Sequence, residues 1–149
     1  MKWLDLVSSD LKKYHQTWVA IRGSRKAPHV KDFNKYVELI PEEISATIIV
    51  SDQSKDCVFR SIGSNIAPIY PSCDVGMRFS QINPLPERAR VFLPYKEVII
   101  SREPEATRGT AKSLQANFVY EQLLLPFIDD RFNVKVIDTV VDGHLVLRE

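Results

Sequence analysis

The apolar residues of this chain change period twice, and that change limits the available folds more than any single motif. Behind Ser8 and Ser9, both suited to helix N-caps, Leu11, Tyr14, Trp18 and Ile21 recur at spacings of three and four. This is one face of a helix that Gly23 should end. The stretch from Gly23 to Pro28 is polar, basic and interrupted, after which Asp32 can cap a short second helix carrying Phe33, Tyr36, Val37 and Ile40 on one side. Pro41 closes it. Beyond Pro41 the pattern becomes β-branched: Ala46 to Val50 and Cys57 to Ile62 flank the polar turn Asp52 to Asp56 and predict a hairpin.

Helical spacing then returns. Pro68, Pro71, Pro84 and Pro86, with Gly63 and Gly76, allow only short helical turns before Pro86-Glu87 starts a longer helix toward Ser101. Phe92, Tyr95 and Ile99 form its stripe. Pro94 would remove the bond to the carbonyl of Arg90, so a bend or two short pieces are expected. Three strands follow, Glu105 to Ala111, Asn117 to Ile128 and Asn133 to Val141, the last two joined at Asp129-Asp130-Arg131. Strands grouped around a helical middle imply an α+β fold, a five-stranded antiparallel sheet with helices on one face. At 149 residues the chain is read as one compact unit, with residues 1–30 an N-terminal helical flank and 31–149 the domain proper.

Charge and composition remove several function classes. Lys and Arg number 20 against 19 Asp and Glu, which leaves little clustered basic excess for a nucleic-acid partner. The longest apolar runs, Ile48 to Val50 and Leu123 to Leu125, fall far short of a membrane span. Lys2, Asp5, Asp10, Lys12 and Lys13 interrupt any apolar leader, so a cytoplasmic location is expected and Cys57 and Cys73 are read as reduced thiols.

A set of short motifs carries a family resemblance through its order. It comprises Trp18 with Arg22-Gly23, a basic stretch ending at Pro28, Leu39-Ile40-Pro41, Phe59-Arg60-Ser61-Ile62-Gly63, Asp74-Val75-Gly76-Met77, and Tyr120 to Phe127. From about Trp18 to Val141 the chain resembles a PAS sensor domain, and in particular the single-domain PAS-like proteins widespread in alphaproteobacteria. Tyr70-Pro71 stands where an aromatic-glycine pair is more usual. The resemblance implies a sensory or protein-interaction module whose sheet and middle helices enclose a small pocket. It also implies N-terminal helices that can serve as dimer contacts.

The residues test the chemistries such a fold can host. A flavin photosensor of this type uses a cysteine in a Cys-Arg-Phe-Leu-Gln segment, whereas here the segment is Met77-Arg78-Phe79-Ser80-Gln81. A thioether supplies no thiolate, so a covalent flavin adduct is not expected. Haem would need an axial histidine on the longer helix, yet His15, His29 and His144 all lie outside Glu87 to Ser101. Those histidines and the two cysteines do not form a metal-ligand spacing, and no cofactor is predicted. Asp129-Asp130 reads as a solvated turn, His15 as a helix-surface residue and His144 as part of a polar tail.

Catalytic residues are not assigned; no Gly-x-Ser-x-Gly elbow or phosphate loop is present. Arg60, Arg78, Phe92 and Tyr95 are the candidate lining of a pocket for an unidentified small ligand, with Arg108 a further candidate to clamp a carboxylate. Arg22, Arg25, Lys26, Lys31 and Lys35 read first as a solvated basic face and second as an anionic-partner surface. The stripe Leu11, Tyr14, Trp18 and Ile21 has two readings, packing on the domain or pairing with a second copy to make a homodimer. The expected function is a non-enzymatic cytoplasmic regulator or adaptor acting through a signalling protein partner. The rival is a small cone-shaped enzyme of the ketosteroid-isomerase type, which needs an acid–base residue inside its cone.

Overall fold

The structure, a computed structural model, describes residues 4–51, 53–112 and 116–147. Helix α1 spans Ser9–Arg22, with the Ser8 hydroxyl accepting the Leu11 N–H at 3.1 Å as its N-cap. Gly23 ends it at φ +62°, a conformation that costs glycine nothing, and Arg25 turns back to donate to the carbonyls of Ile21 and Arg22. A short α2, Phe33–Val37, follows. Strands β1 (Ser45–Ser51) and β2 (Asp56–Ile62) form the expected hairpin, bulged between Thr47 and Ile48. Two 3-10 turns, Ala67–Ile69 and Phe79–Gln81, occupy the proline-rich stretch and lead to α3, Leu85–Ser101. Strands β3 (Glu105–Lys112), β4 (Ala116–Ile128) and β5 (Val134–Leu147) complete the chain.

The strands make one antiparallel sheet in the order β2-β1-β5-β4-β3, an α+β architecture with a PAS-like sheet. Cross-strand partners share a face, which separates two sets of residues. The inner face carries Ile48 and Ile137, then Leu124 and Thr139, and α3 lies over it with Val91, Phe92, Tyr95 and Val98 buried. Phe59 and Phe79 fill the space between, their ring centroids 4.7 Å apart, and Phe79 meets Tyr95 edge-on at 5.0 Å. The outer face carries Leu123 with Val140, Leu125 with Asp138, and Phe127 with Val136. Here α1 and α2 cover it: Phe33 and Tyr36 pack on Phe127 at 5.2 and 5.1 Å.

Pro126 shows how the outer cover is fastened. It has no N–H to contribute to a ladder and stands beyond Leu124, the last β4 residue that β3 pairs. Its free carbonyl accepts the Trp18 indole N–H at 2.9 Å, and the Ile128 N–H donates to Pro28 at 2.9 Å. The N-terminal flank thus continues an edge that β3 leaves open. Leu11 and Trp18 are wholly buried in this contact, while Tyr14 and Ile21 are half-buried. The α1 stripe packs on the chain's own sheet, so Leu11 and Trp18 are not exposed anchors for a second copy.

One expectation about the elements is narrowed and another needs correction. Helix α3 runs through Pro94 as one piece rather than two, its buried stripe seating both halves on the sheet against a proline cost of about 3 kcal/mol. Strand β5 runs six residues past Val141, to Leu147, so His144 lies in a strand rather than a tail. The alternation of apolar residues stops there, but β4 supplies backbone partners as far as Ala116, opposite Leu147.

Candidate functional site

The ends of β3, β4 and β5 project past the aromatic core, and two glycines shape what lies on them. A Cβ at Gly109 would come 2.7 Å from the Tyr120 hydroxyl oxygen, and one at Gly143 would come 2.4 Å from the Phe118 ring. The missing side chains let both rings lie down on neighbouring strands. Phe118 and Tyr120 sit with centroids 6.0 Å apart and planes 20° apart, forming a nearly flat floor. Pro68, Ile69 and Pro71 wall one side, and Glu87, Arg90 and Pro94 of α3 the other. The resulting cleft measures about 830 Å³, and a second of about 580 Å³ adjoins it across Pro68, Phe118 and Leu145.

One wall is held by charge. Arg90 forks onto Glu87 with both a 3.0 Å and a shorter contact and donates to the Ile69 carbonyl at 3.1 Å, tying α3 to the 3-10 turn. That fork holds the Glu87 carboxyl below its ordinary range. The pair itself brings no net charge, but Arg108 and Lys112 also line the cleft.

Behind the floor runs a buried chain of hydroxyls. Thr139 of β5 meets Tyr95 of α3 at 2.7 Å, Tyr95 meets Tyr70 at 3.0 Å, and Tyr70 donates to the Gln122 carbonyl of β4 at 3.1 Å. Burial pushes the Tyr70 hydroxyl up to about 12 and that of Tyr95 well above its usual value, so both stay protonated and bond as neutral groups. Gln122 lines the cleft, as does Thr107, its partner across the β3–β4 ladder, whose hydroxyl oxygen is buried without a hydrogen bond.

The structure distributes the sequence-based candidates. Phe92 and Tyr95 are in the core, whereas Arg60 is exposed on β2 and Arg78 lies 4.0 Å from the Asp56 carboxylate. They do not converge on one pocket. Asp56 also receives the Ser80 hydroxyl at 2.6 Å, which pins the Met77 to Gln81 segment to β2 as a structural turn. Arg108 is among the residues lining the cleft, but its guanidinium bonds Glu121 at 2.7 Å, and Glu121 accepts the Val7 and Ser8 backbone N–H groups. This clamp orders the entry to α1.

Other candidate chemistries find structural uses. His15 stacks on Trp18 and His29 meets Asp130 at 2.7 Å, while Asp129 caps its own turn by accepting the Arg131 and Asn133 N–H groups. Arg22 lies over the Trp18 ring, Arg25 pairs with Asp32 and Lys26 with Glu103. Both cysteines are free; burial pushes Cys57 up to about 12 and Cys73 up to about 11, away from thiolate character. Among the described residues no His, Cys, Asp and Glu side chains gather into a metal-holding group, and no described helix is long and apolar enough to cross a membrane.

Tyr70, Arg90, Thr107, Tyr120 and Gln122 were not assigned to a site by the sequence reading. The signal that could have found part of this set was an isolated glycine inside each of two strands, Gly109 and Gly143, which marks close approach by another group. No family model matches the chain, and no curated protein matches it.

Proposed function

We propose that this chain is a non-enzymatic, PAS-like regulatory module that reads a small molecule at the cleft and passes its occupancy to a signalling protein partner. The observation that carries this reading is the hydroxyl chain from Gln122 to Thr139. It links a cleft residue to α3 and to the central strand β5 through buried bonds that a ligand at Gln122 would polarise. A ligand with different affinity for two packings of α3 on the sheet would shift their populations. The outward side of α3 offers a partner handle, since Leu93 and Ile100 lie two turns apart and are 60% and 77% exposed.

Within the larger cleft the disposition of charge favours binding over the isomerase-type alternative; Asp10, Asp142 and His144 border only the smaller one. Glu87 at the cleft wall is held ionised by Arg90, and the fully buried Asp138 faces the opposite side of the sheet beneath α1 and α2. An acid–base residue would need to share a cavity with its substrate.

The test is native mass spectrometry of freshly purified protein against its denatured mass, followed by hydrogen exchange of α3. A discrete retained mass, or a small-molecule extract of the native cells, that changes α3 exchange supports the reading. A bare particle whose α3 exchange no extract alters overturns it.

A further inference from the structure

Helix α3 seats one side on the sheet and leaves an ordered surface on the other. Val91, Phe92, Tyr95 and Val98 are buried, while Pro86, Ala89, Leu93 and Ile100 are exposed on the opposite side. Pro86, Leu93 and Ile100 recur every seven residues, two helical turns, and so stand in one row. At helical spacing Arg90 and Glu97 flank that row on one side, and Ala89 and Lys96 on the other. Glu97 is exposed and in no described ion pair. Arg90 engages Glu87 and the Ile69 carbonyl, yet its side chain stays 47% exposed and a guanidinium has donors to spare for a second carboxylate. Lys96 holds its ammonium 4.7 Å from the centre of the Phe92 ring, so its charge is already matched within its own chain.

This surface complements itself. When two antiparallel helices are related by a two-fold axis, each flank meets the same flank of the other copy. With the axis at Leu93, Leu93 meets its own copy and Pro86 meets Ile100. Arg90 then lies beside Glu97 on one flank and Ala89 beside the Lys96 stem on the other. Each of these last three contacts occurs twice, and no like charges are brought together. The geometry points to a homodimer made by antiparallel packing of two α3 helices, with Leu93 on the two-fold axis and reciprocal Arg90–Glu97 ion pairs beside it. The inference rests on the reading of the outward side of α3 as a docking handle and names a second copy of the chain as its occupant. A ligand that shifts α3 on the sheet then acts directly on the dimer contact.

A single helix pair makes a small interface that associates weakly, so sedimentation of the full chain is followed from about 1 µM to about 1 mM. The mass should rise from monomer toward dimer across that range. Leu93→Glu places two carboxylates at the axis, and Glu97→Arg sets a second guanidinium against Arg90. Each should weaken association about tenfold or more, with circular dichroism and thermal unfolding unchanged. Cys57 is buried, so in a Cys73→Ser background an introduced thiol reports the register. Leu93→Cys should cross-link to its own copy on mild oxidation. Glu97→Cys should not, since its two copies lie about 12 Å apart at about 1.5 Å of rise per residue. A chain that stays monomeric to about 1 mM, a dimer that neither charge substitution weakens, or cross-linking through Glu97→Cys in place of Leu93→Cys overturns the inference. If the chain is monomeric and α3 hydrogen exchange still responds to the small-molecule extract, the second copy is wrong and the ligand reading stands. If neither dimer nor response is seen, both fail.

Discussion

Asp138→Asn tests whether one buried carboxylate sets the pH profile of folding. Asp138 is fully buried between the sheet and α2, with one oxygen accepting the Ser45 hydroxyl at 2.6 Å. Its other oxygen and the neighbouring Tyr36 hydroxyl are buried without a well-formed bond. Burial raises the carboxyl from 3.8 to about 6, against the pull of the Ser45 and Tyr36 hydroxyls. The folded value lies above the unfolded one, so the protonated form is the stabilised one. Its contribution is complete below about pH 4 and is lost as pH rises through 6. A difference of about two pH units amounts to about 3 kcal/mol, of which between about 1 and 2 kcal/mol is lost between pH 5 and 7.5. Asparagine cannot ionise and lacks this loss. Urea unfolding followed by tryptophan fluorescence at both pH values should therefore show the variant gaining between about 1 and 2 kcal/mol on the wild type as pH rises. Parallel pH dependence of the two proteins would refute the reasoning, whatever the absolute effect of the substitution.

Tyr95→Phe leaves the Tyr70 oxygen and the Thr139 hydroxyl without their shared partner, and chemical denaturation should register a loss of about 1–3 kcal/mol. Trp18→Ala removes a buried ring and its bond to Pro126, and should cost about 3–5 kcal/mol in the same assay. Burial raises the Glu121 carboxyl, but the Ser8 and Val7 N–H groups and Arg108 together outweigh it and hold the group below its ordinary value. Its stabilisation is present above the unfolded value and lost as pH falls through the folded one. Hydrogen exchange at the start of α1 should accordingly accelerate on acidification, and Glu121→Gln should flatten that response. Cys57, raised to about 12, should resist iodoacetamide at pH 8 in the folded protein and react on unfolding in urea, as peptide mass analysis will report.

Local chemistry wrote much of the fold into the sequence. Ser8 and Gly23 bound α1 as capping and left-handed φ require, the β-branched runs after Pro41 became the β1–β2 hairpin, and the prolines before α3 admitted only short turns. These features depend on a few neighbouring residues, whose preferences act wherever the segment ends up. Tertiary structure decided the rest. Whether Trp18 faced a second copy or Pro126 depended on where β3 stops along β4, which no spacing within α1 records. Pro94 stayed inside one helix because the sheet held both halves, and β5 outran its apolar alternation because β4 offered backbone partners. The cleft joins Pro68, Arg90, Thr107 and Gln122 from four separate parts of the chain. Periodicity showed which side of a segment would be buried, but register and strand order alone determined what it would be buried against.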